Sequence, residues 1–333
     1  MTVGRLGAIR AASLIGLAIA FAMQCGQAFA QDDYPSRSIR IVVGFPPGGI
    51  ADTMARLVAD ALSQQLGASA FVETKAGAGG LAGAEVCARA KPDGYTLCIG
   101  AAPVHSLRSH MQAAELSWDP QTAFVPVSML ATEPTVVAVS PKIGVSDAQS
   151  FVDWLRRIPN AAYSTSGPGT TSHLLGAAIG RHLGLQLEHI PYRGSQQAIM
   201  AVIAGDVPMV VAVGGGIVPF VQKGELVAVG VSSADPSPLL PDARPLGQSM
   251  LSGLSFSNYQ GLFAPAGTPS ELIGRIAEAV RTAFAAADRR ELVVRLGLEP
   301  VFGTPAEFAA WLQASSKDWK TLVDLSGAAK AAQ

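Results

Sequence analysis

The chain has 333 residues, of which 49% are hydrophobic and 15% are charged, and its formal net charge is −1. This length fits about two domains of ordinary size. The near balance of charge argues against nucleic acid and anionic membranes as partners, because both select for basic surfaces.

The first 30 residues have the organisation of a secretory signal peptide. Arg5 and Arg10 stand before an apolar run at residues 11–23, and Ala28-Phe29-Ala30 matches the small-residue pattern of a cleavage site. The apolar run is too short to span a bilayer comfortably. We therefore expect cleavage near Ala30 and a mature protein in the periplasm.

The mature chain begins with a strand, a tight loop and a helix. Residues 41–43 are β-branched, residues 50–66 carry apolar side chains at helical spacing, and two prolines and two glycines separate them. Backbone N–H groups at the start of a helix attract anions without any cationic side chain. The unit therefore predicts a site for one carboxylate. Free N–H groups are expected at Gly48, Gly49, Ile50 and Ala51.

The elements that follow alternate between strands and helices. Residues 70–73 and 95–99 are predicted strands, with a helix at residues 81–90 between them. This βαβαβ order predicts a parallel sheet with helices on both faces. Further strands are predicted at residues 124–130, 135–139, 161–164, 187–190, 207–213, 226–231 and 261–265. Further helices are predicted at residues 151–158, 171–183, 195–204, 271–287, 290–296 and 305–325.

The strand–loop–helix pattern begins again near residue 161, which predicts a second α/β unit. After the signal peptide at residues 1–30, lobe 1 is expected to comprise residues 31–134 and 256–333. Lobe 2 is expected to comprise residues 135–255. Ligands of such sheets bind beyond the carboxyl ends of the strands. The cleft is therefore expected at the loops of residues 45–51, 166–172 and 192–195.

Six short segments, taken in order, carry a resemblance to a known family. They are FPPGGIAD, ETKAGAGGLAG, KPDGYTL, STSGPGTTSHL, PYRGS and GLFAPAGTP. In this order they resemble the substrate-binding proteins of tripartite tricarboxylate transporters, also called Bug proteins. The resemblance implies an α/β fold class: a two-lobed periplasmic binding protein fold (type II-like), each lobe a mostly parallel sheet flanked by helices. It also implies a small organic acid as ligand, a membrane permease as partner, and no cofactor or metal.

The resemblance also assigns candidate ligand-binding residues. In the family, the loop that matches residues 45–52 closes over one carboxylate, so Phe45 is a candidate lid, with simple loop packing as the alternative. Asp52 is expected either to brace the helix start or to contact the ligand, which would then carry an amine. His173 is expected to brace the following loop or to touch the ligand. From the second lobe, the matching residues are Ser166, Gly169, Thr170 and Arg193.

The sequence departs from the pattern of the family at four places, the first being Thr74-Lys75-Ala76, where the family commonly has Asn-Arg-Pro. The family usually has Asp where Ala201 stands, a polar or acidic residue near Ala212, and Trp where Tyr259 stands. The apolar run around Ala212 shifts the expected ligand from a tricarboxylate towards a less polar acid. A monocarboxylate, a dicarboxylate, an aromatic acid and an amino acid remain open.

The remaining features bear on redox state and assembly. Cys87 and Cys98 lie on a predicted helix and on the next strand, and a disulfide between them competes with two buried thiols. No histidine pair has metal-binding spacing. The expected form is a monomer that binds no nucleic acid.

Two other functions compete with transport. An exported hydrolase would need a nucleophile motif such as Gly-x-Ser-x-Gly, and the sequence has none. A binding protein that serves a sensory receptor instead of a permease would have the same sequence features. Transport of a carboxylate is therefore the favoured function, and we expect no enzymatic activity.

Overall fold

The structure is a computed structural model that describes residues 34–111 and 116–328. The predicted signal peptide and its cleavage site lie outside the described residues. The fold considered below is the unit that begins at Ser38. Within the described ranges, no helix combines the length and the apolar character that a membrane span requires.

The secondary structure alternates between strands and helices along most of the chain. The strands are β1 (Ile39–Val43), β2 (Ala70–Thr74), β3 (Thr96–Ala101), β4 (Phe124–Glu133), β5 (Thr135–Val139), β6 (Ala162–Thr165), β7 (Glu188–Pro191), β8 (Met209–Val213), β9 (Val227–Val231), β10 (Asn258–Pro265) and β11 (Glu299–Pro300). The helices are α1 (Ile50–Leu66), α2 (Leu81–Ala88), α3 (Ala102–His105), α4 (Arg108–Met111), α5 (Ala148–Arg157), α6 (Thr171–Leu183), α7 (Ser195–Ala204), α8 (Gly214–Gln222), α9 (Leu246–Ser249), α10 (Ser270–Ala283), α11 (Ala287–Arg295) and α12 (Pro305–Ser326).

These strands form two separate sheets. The first has the order β11-β4-β10-β3-β1-β2, and the second has the order β7-β6-β8-β5-β9. Strand β1 lies between β2 and β3 and is parallel to both. Strand β6 is likewise parallel to β7 and β8. Each parallel trio ends at loops that lead into helices, which is the geometry of a ligand site in an α/β sheet.

Both sheets are mixed, which corrects the expectation that each is mostly parallel. Strand β10 runs antiparallel to β3 and β4, and β5 runs antiparallel to β8 and β9. The reason lies in the two crossings between the sheets. The chain passes from β4 to β5 through Pro134 alone, and it returns from β9 to β10 through residues 232–257. Strands that cross in this way enter each sheet against the direction of the βαβ units.

Helix α8 was not predicted, because Gly214-Gly215-Gly216 and Pro219 disfavour a helix. Tertiary packing overrides this preference. A Cβ atom at Gly215 would lie 2.9 Å from Leu298 and 3.0 Å from Leu296 O, so only glycine lets the helix approach this segment. The elements that the sequence predicted are present, with ends that shift by a few residues.

The disulfide is present between Cys87 on α2 and Cys98 on β3. It closes a short loop, because the two cysteines have a sequence separation of 11. Replacing both with serine is expected to lower the free energy of unfolding by roughly 2 to 3 kcal/mol, because the unfolded chain gains freedom. Urea denaturation of the oxidised wild type and the double variant measures this difference. Equal midpoints would show that the bond does not stabilise the fold.

Candidate functional site

The loop between β1 and α1 is built around the side chain of Asp52. This carboxylate is buried and accepts a hydrogen bond of 3.0 Å from the Gly48 N–H. It also accepts two bonds from Arg56, of 3.0 and 3.1 Å. Gly48 has a φ of +77°, a conformation that glycine adopts without strain. Asp52 therefore holds the loop in the shape that starts the helix.

Asp52 is ionised in this position. Burial opposes the charge, but hydrogen bonds from Arg56 and then Gly48 outweigh it and lower the pKa of Asp52 below its ordinary value. All the bonds of this carboxylate are local to the loop and the first helical turns. The geometry agrees with bracing of the helix start, because the partners of Asp52 among the described residues are Gly48 and Arg56.

The expectation that all four N–H groups of this loop are free is wrong for Gly48 and Gly49. The Gly48 N–H is donated to Asp52, and the Gly49 N–H makes a long bond of 3.4 Å to Pro46 O. The first helical N–H that has an intrahelical partner is that of Thr53, which bonds Gly49 O at 3.0 Å. For Ile50 and Ala51, no acceptor is found in the part of the chain that the structure describes. These two N–H groups remain available to an anion.

The segment at residues 77–80 packs directly beside this loop. A Cβ atom at Gly80 would lie 2.8 Å from Cζ of Phe45, so the Phe45 ring covers the Gly80 backbone. Gly44 approaches Gly80 so closely that any Cβ at Gly44 would overlap the Gly80 carbonyl oxygen. Phe45 thus packs on the segment at residues 77–80, and its role as a lid over a carboxylate stays a prediction.

The loops of the two sheets come close to each other. A Cβ atom at Gly79, on the side of the first sheet, would lie 3.9 Å from Pro168 O in the loop after β6. In that loop, a Cβ at Gly167 would lie 3.4 Å from Tyr192 O in the loop after β7. The starts of α1, α6 and α7 are therefore joined by a chain of contacts. That these loops together form a ligand cleft stays a prediction.

The loop before α6 is tightly bonded within itself. The Thr170 hydroxyl donates to Gly167 O at 2.8 Å and accepts the His173 N–H at 3.3 Å, which caps the helix. His173 Nδ1 accepts the Gly169 N–H at 3.2 Å. The side chain of Ser166 is half-buried and has no bond to another described residue. Thr170 and His173 thus shape the loop, and Ser166 remains free to contact a ligand.

Arg193 lies in the loop before α7 and is exposed. Its N–H bonds Gln197 Oε1 at 3.3 Å, but within residues 34–111 and 116–328 no acceptor is found for its guanidinium group. Arg56 is paired with Asp52, and Lys75 is paired with Glu73 at 2.9 Å. Arg193 is therefore the cation near these loops that has no carboxylate partner among the described residues.

Comparison with known proteins decides the family. A family model described as the tripartite tricarboxylate transporter family receptor matches residues 54–327. The chain belongs to this family. Proteins of this family are substrate-binding receptors, so the exported hydrolase is excluded. The resemblance seen in the six sequence segments is confirmed.

Solved structures show the same two-lobed α/β fold. One described as a periplasmic transporter is 32% identical, with a TM-score of 0.80 over 87% of this chain and 97% of that chain. Rpa4515 of R. palustris, solved with adipate, is 26% identical, with a TM-score of 0.80 and coverage of 89% and 99%. MatC of Rhodopseudomonas palustris, solved with malate, is 27% identical, with a TM-score of 0.78 and coverage of 87% and 100%. The fold class is confirmed, and two of these relatives were solved with small carboxylates.

The departures from the family pattern at Ala201, Ala212 and Tyr259 lie in the core of this receptor. Ala201 and Ala212 belong to the apolar cluster behind the second sheet. Tyr259 is fully buried, and its hydroxyl lies 3.0 Å from Ser106 Oγ. The inference that the apolar run around Ala212 selects a less polar ligand therefore loses its basis. These side chains bear on packing and not on the polarity of the cleft.

Sequence reasoning missed Glu133, which joins the two lobes of the receptor where the chain crosses between them. Its carboxylate is buried and accepts the Gly215 N–H at 2.7 Å and the Gln260 amide at 2.9 Å. Gly215 starts α8 beside the second sheet, and Gln260 lies on β10 of the first sheet. A single Glu before a proline gives no sequence signal for this role.

Glu133 makes stability depend on pH. Burial raises the pKa of Glu133 above 4.5, although the bonds from Gln260 and Gly215 partly oppose the shift. A carboxyl whose pKa is higher in the folded state stabilises the fold at low pH and loses that effect as the pH rises. The stability of the wild type should therefore fall relative to Glu133→Gln as the pH rises above 4.5. Urea denaturation at several pH values tests this, and parallel profiles would contradict it.

Proposed function

We propose that this protein is a periplasmic solute-binding protein that captures a small organic carboxylate and delivers it to a permease of the tripartite tricarboxylate type. The observation that carries the proposal is the convergence of three helix starts on one space between the sheets. Support comes from the relatives with adipate and malate.

The donors in this proposal are main-chain amides. The N–H groups of Ile50 and Ala51 have no acceptor among the described residues. The positive ends of α1, α6 and α7 contribute about half a charge each, which favours a carboxylate near each helix start. Ser166 and Arg193 add a hydroxyl group and a guanidinium group from the second lobe.

The charges of the loops limit the class of ligand. Arg56 is paired with Asp52, and Lys75 and Arg40 share the carboxylate of Glu73, so Arg193 and the helix ends are the groups without a carboxylate partner that can balance a ligand. That set suits one or two carboxylates, one at each lobe. A third carboxylate would be desolvated without a matching charge, which costs several kcal/mol in a closed cleft. We therefore propose a mono- or dicarboxylate as ligand.

Capture is proposed to work by closure of two lobes. Lobe 1 would comprise residues 31–134 and 256–333, and lobe 2 residues 135–255. The crossings at Pro134 and at residues 232–257 would act as the hinge, since they alone link the sheets along the chain between β4 and β10. Contacts made only in the closed state would stabilise closure around the bound acid.

Two measurements test the proposed function. Native mass spectrometry of the purified mature protein would detect a carboxylate that stays bound through purification. A thermal-shift screen would then compare monocarboxylates, dicarboxylates and citrate. We expect a rise in melting temperature with a mono- or dicarboxylate. A larger rise with citrate than with every smaller acid would refute the proposed ligand class, and no rise with any acid would refute the function.

A further inference from the structure

The loop at residues 166–170 depends on two side-chain acceptors for its shape. The Gly167 N–H donates to Thr165 Oγ1 at 3.1 Å, and the Gly169 N–H donates to His173 Nδ1 at 3.2 Å. The two glycines have φ values of +120° and +74°, which the loop can hold only with glycine at these positions. The direction of the loop amides is therefore set by Thr165 and His173.

The two acceptors are connected through His189 on β7. His189 Nε2 lies 2.6 Å from Thr165 Oγ1. The His189 ring stacks on the His173 ring with 4.3 Å between centroids and 26° between planes. We call Thr165, His173 and His189 the histidine brace. The brace ties both glycine N–H groups to one unit behind the loop.

The bond from Gly169 specifies the protonation state of His173. A ring nitrogen that accepts an N–H bond carries no proton, so neutral His173 has its proton on Nε2. Protonation would place an N–H group on Nδ1, opposite the N–H of Gly169, and the acceptor would become a donor. A second charge on His189 would add repulsion between the stacked rings. The brace therefore holds only while His173 is neutral.

The surroundings of the pair favour the neutral rings. Burial lowers the pKa of His173 below 6.5, and burial followed by the charge of His173 lowers that of His189 to about 4. Tyr163 on β6 donates its hydroxyl to His173 O at 3.4 Å and stacks on His189 with 5.1 Å between centroids. Burial raises the pKa of Tyr163 to about 12, so it stays uncharged.

The other elements that pack around the pair bring no charge into contact with it. Strands β5 and β8, which lie against α6, contain no titratable residue. On β7, Glu188 precedes His189 and points to the opposite face of the strand. Across the described ranges, no ion pair links either ring to another side chain. The remaining charged groups on neighbouring elements are Arg181, His182, Arg193, Lys317, Asp318, Lys320 and Asp324.

We propose that His173 and His189 are positioning residues that hold the 166–170 loop in its binding shape only while both rings are neutral, so that carboxylate binding weakens in acid. The inference rests on the proposed function for its consequence, but the brace itself does not need a ligand. Because the pKa values are lowered, the loss should occur below pH 6.5, as the rings take up protons.

The first test uses the mature protein without ligand. In two-dimensional amide NMR, the Gly169 resonance should shift as His173 titrates below pH 6.5. In His173→Asn that shift should be lost, because the Asn side chain offers an acceptor near the position of Nδ1 and does not titrate. His189→Gln should remove the corresponding shift of Gly167. A Gly169 resonance that follows pH equally in wild type and His173→Asn would overturn the brace.

The second test measures adipate binding by calorimetry at pH of about 7.5 and about 4.5. For each protein, the affinity at the lower pH is divided by its affinity at the higher pH. This ratio should be about threefold smaller for the wild type than for His173→Asn. At each pH, adipate has the same ionisation state with either protein, so the difference between the two ratios arises from the protein. Equal ratios would overturn the consequence for binding. If adipate does not bind the wild type, the best carboxylate of the thermal-shift screen takes its place, and the NMR experiment decides the brace without any ligand.

Discussion

Replacing Ile50 with proline is expected to weaken carboxylate binding by roughly a hundredfold and to leave the fold intact. Proline removes the N–H at the first position of α1, where no other described group accepts it. A charge-assisted hydrogen bond contributes about 1.5 to 3 kcal/mol, which gives the expected change in affinity. Calorimetry with the best carboxylate of the thermal-shift screen measures it.

The helix should tolerate this proline better than almost any other substitution. Proline is common at the first helical position, because its fixed φ suits the helix and its missing N–H had no intrahelical partner. The preceding Gly49 has φ −78° and ψ 173°, the extended backbone that a residue before proline prefers. Unchanged circular dichroism and melting temperature would confirm that folding is intact.

Ile50→Ala is the matched control, because it shortens the side chain and keeps the N–H. We expect its affinity to stay within about threefold of the wild type if the backbone is the donor. If the alanine and proline variants lose equal affinity, the side chain carries the interaction. If both bind like the wild type, the start of α1 is not the carboxylate site.

Replacing Gly83 with alanine is expected to lower the free energy of unfolding by about 3 kcal/mol. The added Cβ would lie 2.5 Å from Gly44 Cα and 2.6 Å from Gly44 N. These are backbone atoms at the end of β1, so they cannot move aside as a side-chain tip would. Helix α2 would have to withdraw from the loop that starts the candidate site. Urea denaturation measures the loss of stability, and calorimetry measures the accompanying loss of affinity.

Gly274→Ala provides a matched comparison for this prediction. Gly274 also lies inside a helix, but its added Cβ would meet no atom within 4 Å. Alanine has the higher helix propensity, so the variant should gain up to about 1 kcal/mol. Opposite signs for the two substitutions would attribute the cost at Gly83 to the contact with Gly44. A loss of similar size at both sites would contradict this explanation.

The strand–loop–helix unit at the start of the mature chain could be predicted because its signals are local. The β-branched run at residues 41–43 and the helical spacing of residues 50–66 act over a few neighbouring residues. The structure places β1 and α1 at these positions. The position of Asp52, two residues into the helix, made bracing of the helix start one of its two expected roles.

Which N–H groups are bonded within the protein and which are available to a ligand could not be predicted, because this depends on the direction of the side chains. The sequence places Gly48 and Ile50 in one glycine-rich loop, and only the structure shows that Asp52 accepts the Gly48 N–H. His189 is a similar case. It lies 16 positions after His173 in the sequence, and the two rings meet because β7 pairs with β6 and α6, which carries His173, packs against β6.

By itself the sequence determined the family and the alternation of strands and helices, and it predicted the loops at which a carboxylate would bind. Each follows from composition, periodicity and short motifs. The tertiary structure decided the mixed order of the sheets, the contact of Glu133 with Gly215 and Gln260, and the convergence of the loops. These features join residues far apart in the chain, and their energies depend on burial and on distances that exist only in the folded protein.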